Sequence, residues 1–128
     1  KTLQLHWAGA NNPLWIIRNA SGRLNEYELI EHKADKQPIG KTVHPVPFTT
    51  RTIQLQKGDS FYVFTDGYAD QFGGEKGKKM KTTNFKKLLL SIQEKGMEEQ
   101  YTELEKSLES WKGNLEQVDD ICVIGVKV

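Results

Sequence analysis

Two short runs, Phe61-Tyr62-Val63-Phe64 and Ile121-Cys122-Val123-Ile124-Gly125-Val126, are apolar at successive positions rather than alternate ones. Successive side chains of an extended chain point to opposite faces, so such a strand must be covered on both sides. The sheet that holds these strands needs a layer on each side. The 128 residues, 37% hydrophobic and 27% charged, suit one domain or part of one. A chain of this length buries roughly two-thirds of its surface.

The first 65 residues read as β. Leu3, Leu5 and Trp7 alternate with polar neighbours, as a half-buried strand does. Ala8-Gly9-Ala10-Asn11-Asn12-Pro13 is dense in turn formers and leads into Leu14-Trp15-Ile16-Ile17-Arg18, so the two strands are expected to form a hairpin. Asn19-Ala20-Ser21-Gly22 is a turn, and Tyr27 to Ile30 a third strand. Three prolines and Gly40 make Asp35 to Pro47 a loop. Phe48 to Leu55 is a fourth strand, and Gly58-Asp59 turns the chain into the fifth. The second half is helical. Phe85, Leu88, Leu89 and Ile92 define one helix face, with Thr83 or Asn84 as N-cap and Gly96 as its stop. Tyr101, Leu104, Leu108 and Trp111 form the stripe of a second helix that ends at Gly113. Five strands, two helices and a closing strand make an α+β chain.

Charge and cysteine content exclude several classes. A net charge of +1 gives no electrostatic tie to nucleic acid or acidic lipid. The single cysteine, Cys122, has no internal disulfide partner, which points to a reducing, cytoplasmic setting. No apolar run approaches the ~20 residues of a membrane span, and no signal peptide opens the chain. The chain starts at Lys1 inside what reads as a strand, without an initiator Met, and is expected to be a fragment of a longer protein.

Two places set an acid at the end of a buried strand. Asp66 follows Phe61 to Thr65, with Gly67 expected to allow a sharp turn. Asp119 and Asp120 precede the closing strand. If the two strands are neighbours, these carboxylates converge. Converging carboxylates repel unless they share protons or a hard cation such as Mg²⁺ or Mn²⁺. An acid at a strand end is also a common turn or cap residue, and both readings stand on residue types alone. His6, His32 and His44 are too scattered to suggest a metal cluster. Gly73-Gly74-Glu75-Lys76-Gly77-Lys78-Lys79 lacks the Walker spacing and reads as a solvated basic loop. Serine and Cys122 have no recognisable activating partner.

The block Gly58-Asp59-Ser60-Phe61-Tyr62-Val63-Phe64-Thr65-Asp66-Gly67-Tyr68-Ala69-Asp70-Gln71-Phe72-Gly73-Gly74 resembles the Gly-Asp, apolar strand, Ser/Thr-Asp-Gly block of SpoIIE-like phosphatases, within the PPM (type 2C) family. Ala8-Gly9 to Pro13-Leu14 resembles their Ala-Gly-x-x-x-Pro-Leu hairpin, Pro38-Ile39-Gly40 their Pro-Leu-Gly loop, and Gln117 to Ile121 their closing Asp-Asp/Asn block. Four blocks in family order cover nearly the whole chain.

The resemblance implies an α-β-β-α sandwich, of which residues 1–128 form the C-terminal part, about five strands and two to three helices. It implies a protein serine/threonine phosphatase with two Mn²⁺ or Mg²⁺ ions, which activate a water for attack on phosphoserine or phosphothreonine without a phosphoenzyme. By position, Asp66 and Asp119 are the implied catalytic metal ligands, with Gly67 and Asp120 supporting them. The family's upstream Asp-x-x-Gly-His-Gly-like block, which carries the bridging aspartate, is not in these 128 residues. The fragment is therefore expected to be nearly inactive by itself. It is also expected to expose sandwich edges that a homodimer or partner chain would cover. The implied substrate is a phosphoprotein, such as an anti-sigma-factor antagonist in bacterial partner switching. The rival readings are a pseudophosphatase that binds a phosphoprotein without hydrolysis and an interaction module using the Tyr101–Trp111 stripe.

Overall fold

The computed structural model describes residues 2–128. Eleven elements follow one another: β1 (Gln4–Trp7), β2 (Leu14–Arg18), β3 (Glu28–His32), β4 (Arg51–Gln54), β5 (Ser60–Phe64), α1 (Gly67–Asp70), β6 (Phe72–Gly73), β7 (Lys78–Lys79), α2 (Thr82–Ser91), α3 (Met97–Lys112) and β8 (Val123–Lys127). A four-stranded antiparallel sheet in the order β3-β2-β5-β8 forms the middle layer, and β1 pairs with β4 in a separate two-stranded sheet.

Strand alternation divides the core in two. On one face of the middle sheet Trp15, Ile17 and Tyr62 pack with Tyr68, Phe85, Leu89 and Ile92 from the helical side. On the other, Leu14 and Ile16 join Leu55, with Leu5, Trp7, Ile53, Phe61 and Val63 packed around them. The described residues thus stack as helices, sheet, sheet. The double-sided apolar run at Phe61 finds its explanation here, since β5 lies between β2 and β8 with a layer on each side.

The closing strand differs from expectation. Val123 packs toward the helices, but Ile124 and Val126 remain 53% and 37% exposed. They sit opposite Val63 and Phe61 on the sheet face that β1 and β4 cover only in part.

The expected β1–β2 hairpin does not form. β1 pairs with β4 and β2 with β3 and β5, so the Ala8–Pro13 segment crosses between sheets. Backbone bonds from Asp35 N–H to Gly9 O, 3.0 Å, and from Asn11 N–H to Asp35 O, 2.8 Å, hold the crossing. Hydrophobic alternation fixes which face a strand buries, not which partner it takes.

Helix boundaries also shift. The N-cap of α2 is Lys81 rather than Thr83 or Asn84, and Asn84 Nδ2 instead donates to Met80 O at 2.7 Å. Lys81 has φ 76° and ψ 153°, a region that is essentially glycine-only, and its N–H donates to Ala69 O at 2.8 Å. The helix start is set by this tertiary tie to α1, not by a capping side chain. Gly96 does not end α2, which stops at Ser91. It is the N-cap of α3. Gly113 closes α3 as expected, with φ 55° and ψ −125°, a positive-φ conformation open to glycine but distinct from the usual left-handed helical cap. Of the predicted stripe, Leu104, Leu108 and Trp111 pack on the core, while Tyr101 is 69% exposed. The Gly73–Lys79 run is not a plain loop. Its ends pair as the β6–β7 ribbon, although both lysines of β7 remain exposed.

A buried tyrosine ties the layers together. Tyr62 Oη donates to Gln100 Oε1 at 2.6 Å and accepts from Gln93 Nε2 at 2.7 Å, joining the middle sheet to α3 and to the turn that follows α2. Within the middle sheet, Asp59 stands just before β5 and accepts the Gln56 N–H at 2.8 Å. No helix among the described residues is long and apolar enough to cross a membrane.

Candidate metal centre

β5 and β8 are antiparallel neighbours, so the C-terminal end of β5 lies beside the approach to β8. Thr65 joins the two. Its N–H donates to Cys122 O at 3.0 Å, its hydroxyl donates to Asp120 O at 2.9 Å and accepts from Cys122 N–H at 3.0 Å. This stitching brings Asp66, the next residue, against the Asp119-Asp120 segment.

Asp66 is also the N-cap of α1, and Asp70 N–H donates to Asp66 O at 2.9 Å. One helical turn therefore sets Asp70 on the same side as Asp66. Carboxylate oxygens of Asp66, Asp70 and Asp119 lie within 4.8 Å of one another. Among the described residues this is the one cluster of three or more metal-ligating side chains, and no histidine joins it. His6 instead shares a hydrogen bond with Thr52 Oγ1 at 3.1 Å.

Of the residues singled out from sequence, Asp66 and Asp119 are thus brought together. Asp120 contributes backbone rather than side chain. Its N–H donates to Asp119 Oδ1 at 2.8 Å and its carbonyl accepts from Thr65. Asp70 was missed, although the i, i+4 spacing after an N-cap aspartate was a usable signal. Thr65 was missed as well, because its role depends on which strand becomes the neighbour of β5.

Gly67 matters for a different reason than a sharp turn. It opens α1 with no positive φ. A Cβ there would run into the carbonyl of Asp120 and touch the Ile121 side chain. Glycine is needed because the backbone bearing Asp119 and Asp120 passes directly over it. Gly67→Ala is expected to push that segment outward, at about 1–3 kcal/mol of stability, and to shrink any Mn²⁺-induced rise in melting temperature. Thermal melts with and without Mn²⁺ check this. An alanine variant with a wild-type Mn²⁺ response would show that the close approach does not set the cluster.

Asp66 is exposed at its outer edge, yet its carboxyl is held above the ordinary aspartate range. Loss of hydrating water to the surrounding protein is the largest cause. A hydrogen bond with Asp119 and the negative charges of Asp70 and Asp119 add to it. Among the described residues the one cation paired with any of the three acids is Lys79, whose Nζ lies 3.7 Å from Asp70 Oδ1. An all-oxygen set of three close carboxylates, mutually repelling and only partly neutralised, is the donor chemistry that hard divalent cations take.

The model of the family described as Stage II sporulation protein E (SpoIIE) matches residues 1–128. The chain belongs to the SpoIIE family. Among solved structures, the SiaA-PP2C domain of Pseudomonas aeruginosa superposes with a TM-score of 0.82 at 28% identity. The match covers 98% of this chain and 46% of that one, so residues 1–128 span about half the length of the structure they match. No curated protein matches the chain. The architecture is thus that of a PPM-type phosphatase domain, and the phosphatases of this family depend on metal. Asp66, Asp70 and Asp119 fit that requirement in residue type and in mutual distance.

Proposed function

We propose that residues 1–128 form the C-terminal part of the catalytic domain of a Mn²⁺- or Mg²⁺-dependent protein serine/threonine phosphatase. The observation that carries this reading is the convergence of Asp66, Asp70 and Asp119 at the junction of β5 and β8, in a chain that belongs to the SpoIIE family. Asp66 and Asp119, with Asp70 beside them, would hold a divalent ion. The bound metal supplies a water acidified toward neutral pH and a positive charge for the phosphoryl oxygens. The protein's own part is positional. Thr65 holds the two backbone segments together, Gly67 lets them approach, and the Asp120 N–H fixes one oxygen of Asp119.

The substrate in this reading is a phosphoserine or phosphothreonine protein of bacterial signalling, such as an anti-sigma-factor antagonist in a partner switch, handled in the cytoplasm. The remaining metal ligands of the site belong to the upstream Asp-x-x-Gly-His-Gly-like block, which residues 1–128 do not contain. A homodimer or a partner chain would cover the apolar face around Ile124 and Val126.

The test is Mn²⁺-dependent release of phosphate from a phosphoserine peptide. It compares this chain with the natural protein that includes the upstream half-domain. Turnover by the longer protein alone is the expected result. If neither turns over while both are folded and stabilised by Mn²⁺, the phosphoprotein-binding alternative replaces the enzyme.

A further inference from the structure

We propose that Lys79 contacts the phosphoryl group of the substrate and so determines how tightly phosphoserine is held at the carboxylate cluster. The proposal rests on the phosphatase reading above and names a residue that the family motifs did not.

Lys79 is placed by a rigid device. In the β6–β7 ribbon it stands opposite Phe72, and its ammonium lies 5.7 Å from the Phe72 ring centre. The ribbon is fastened at both ends. Gly74 N–H donates to Trp111 O at 2.9 Å, and Trp111 Nε1 donates to Gln71 O at 2.8 Å. A Cβ at Gly73 would collide with the Trp111 carbonyl, so the ribbon lies flat on the end of α3. On the other side, Met80 N–H donates to Gln71 O at 3.0 Å and Lys81 N–H to Ala69 O at 2.8 Å. The strained backbone of Lys81 shows that this exit is imposed by its surroundings. The base of Lys79 is therefore fixed relative to α1, the helix that carries Asp70.

Its tip is free to change partner. The side chains of Lys79 and Asp70 are 50% and 40% exposed, so their pair is screened by water and weak. A divalent ion at the three carboxylates would take over the charge of Asp70. Lysine is a compact cation on a flexible stem. A phosphomonoester brings about 1.5 to 2 negative charges at neutral pH. With Asp70 neutralised, the ammonium has a better partner in an arriving phosphoryl oxygen than in the aspartate. Lys78, the preceding residue, falls on the opposite face of the ribbon, and it forms no ion pair among the described residues.

The experiment compares Lys79→Met and Lys79→Arg with wild type in the natural full-length protein, with thermal melts to confirm folding. Three readouts are taken: KM and kcat for a phosphoserine peptide, the inhibition constant of inorganic phosphate, and the Mn²⁺ dissociation constant by titration calorimetry in phosphate-free buffer. For Lys79→Met we expect KM and the phosphate constant to rise about tenfold, equivalent to about 1.4 kcal/mol. Mn²⁺ is expected to bind equally or a few-fold more tightly, because a competing cation is gone. Lys79→Arg should restore most of the phosphate affinity. Unchanged KM and phosphate affinity in an active Lys79→Met enzyme overturn the proposal. If wild type shows no turnover, calorimetric binding of the same peptide to the Mn²⁺-loaded protein decides. Tenfold weaker binding by Lys79→Met supports the phosphoryl contact although the enzyme reading has failed, and equal or absent binding overturns it.

Discussion

Asp66→Asn is expected to abolish Mn²⁺-dependent turnover in the natural protein and to leave the metal-free fold no less stable than wild type. Loss of a group that merely orients a metal ligand costs 10–100-fold, so loss of a ligand itself should cost about 1,000-fold or more. The stability half follows from the electrostatics. Burial, then Asp119 and Asp70, hold the Asp66 carboxyl above its ordinary range. The folded state therefore binds that proton more tightly than the unfolded chain does. Stability from this group falls as pH rises from the ordinary aspartate range through the raised folded value, and above it the penalty is complete. Asparagine removes the charge that causes the penalty. Mn²⁺ should raise the wild-type melting temperature at neutral pH, by about 2.7 kcal/mol of linkage at a hundredfold excess over its dissociation constant. The same addition should do little for Asp66→Asn, and the wild-type response should fade as acid protonates Asp66. Melting curves at several pH values, with and without Mn²⁺, check both parts. A variant that keeps wild-type turnover and a wild-type Mn²⁺ shift would remove Asp66 from the site.

The ends of this cluster were legible in the sequence because each sits against an unusual local pattern. Asp66 follows a strand that is apolar at successive positions, and Asp119 precedes a second such run. What the sequence did not reveal was that these strands are neighbours, and everything else at the site depends on that pairing. Thr65 can bridge to Asp120 and Cys122 only if β8 lies beside β5. Gly67 meets the Asp120 carbonyl for the same reason. The failed β1–β2 hairpin has the same origin. Alternation at Leu5 and Trp7 showed correctly that one face is buried, while strand partners are chosen by long-range packing. Caps were misread where tertiary ties override local preference, as at Lys81. Asp59 was read as a turn residue because burial leaves no mark on a two-residue motif.

That burial sets up the second large effect. Asp59 is 1% exposed at the start of β5 and receives Arg18 Nε at 3.0 Å, Arg18 Nη2 at 2.7 Å and the Gln56 N–H at 2.8 Å. Its hydrogen bonds to Arg18 hold the guanidinium above its ordinary pKa, against the opposing effect of burial. The pair fastens β2 to the head of β5, and β5 carries Asp66 just beyond its other end. Removing one member of a buried pair costs about 3–5 kcal/mol, because the other is stranded. The two members are not equivalent. The Arg18 side chain is 19% exposed and can turn toward water, whereas that of Asp59 is 1% exposed and cannot. Arg18→Met should therefore cost more, toward 4–5 kcal/mol, than Asp59→Ala, nearer 3 kcal/mol. The double variant should be more stable than Arg18→Met alone, since no buried charge is left without a partner. Urea unfolding of all three, referred to wild type, measures the order. Equal single losses below about 1 kcal/mol would mean that the pair behaves as a solvent-screened surface contact. In the expected case, Mn²⁺ binding should weaken in both single variants, because a strand loosened at its head no longer fixes the carboxylate at its foot.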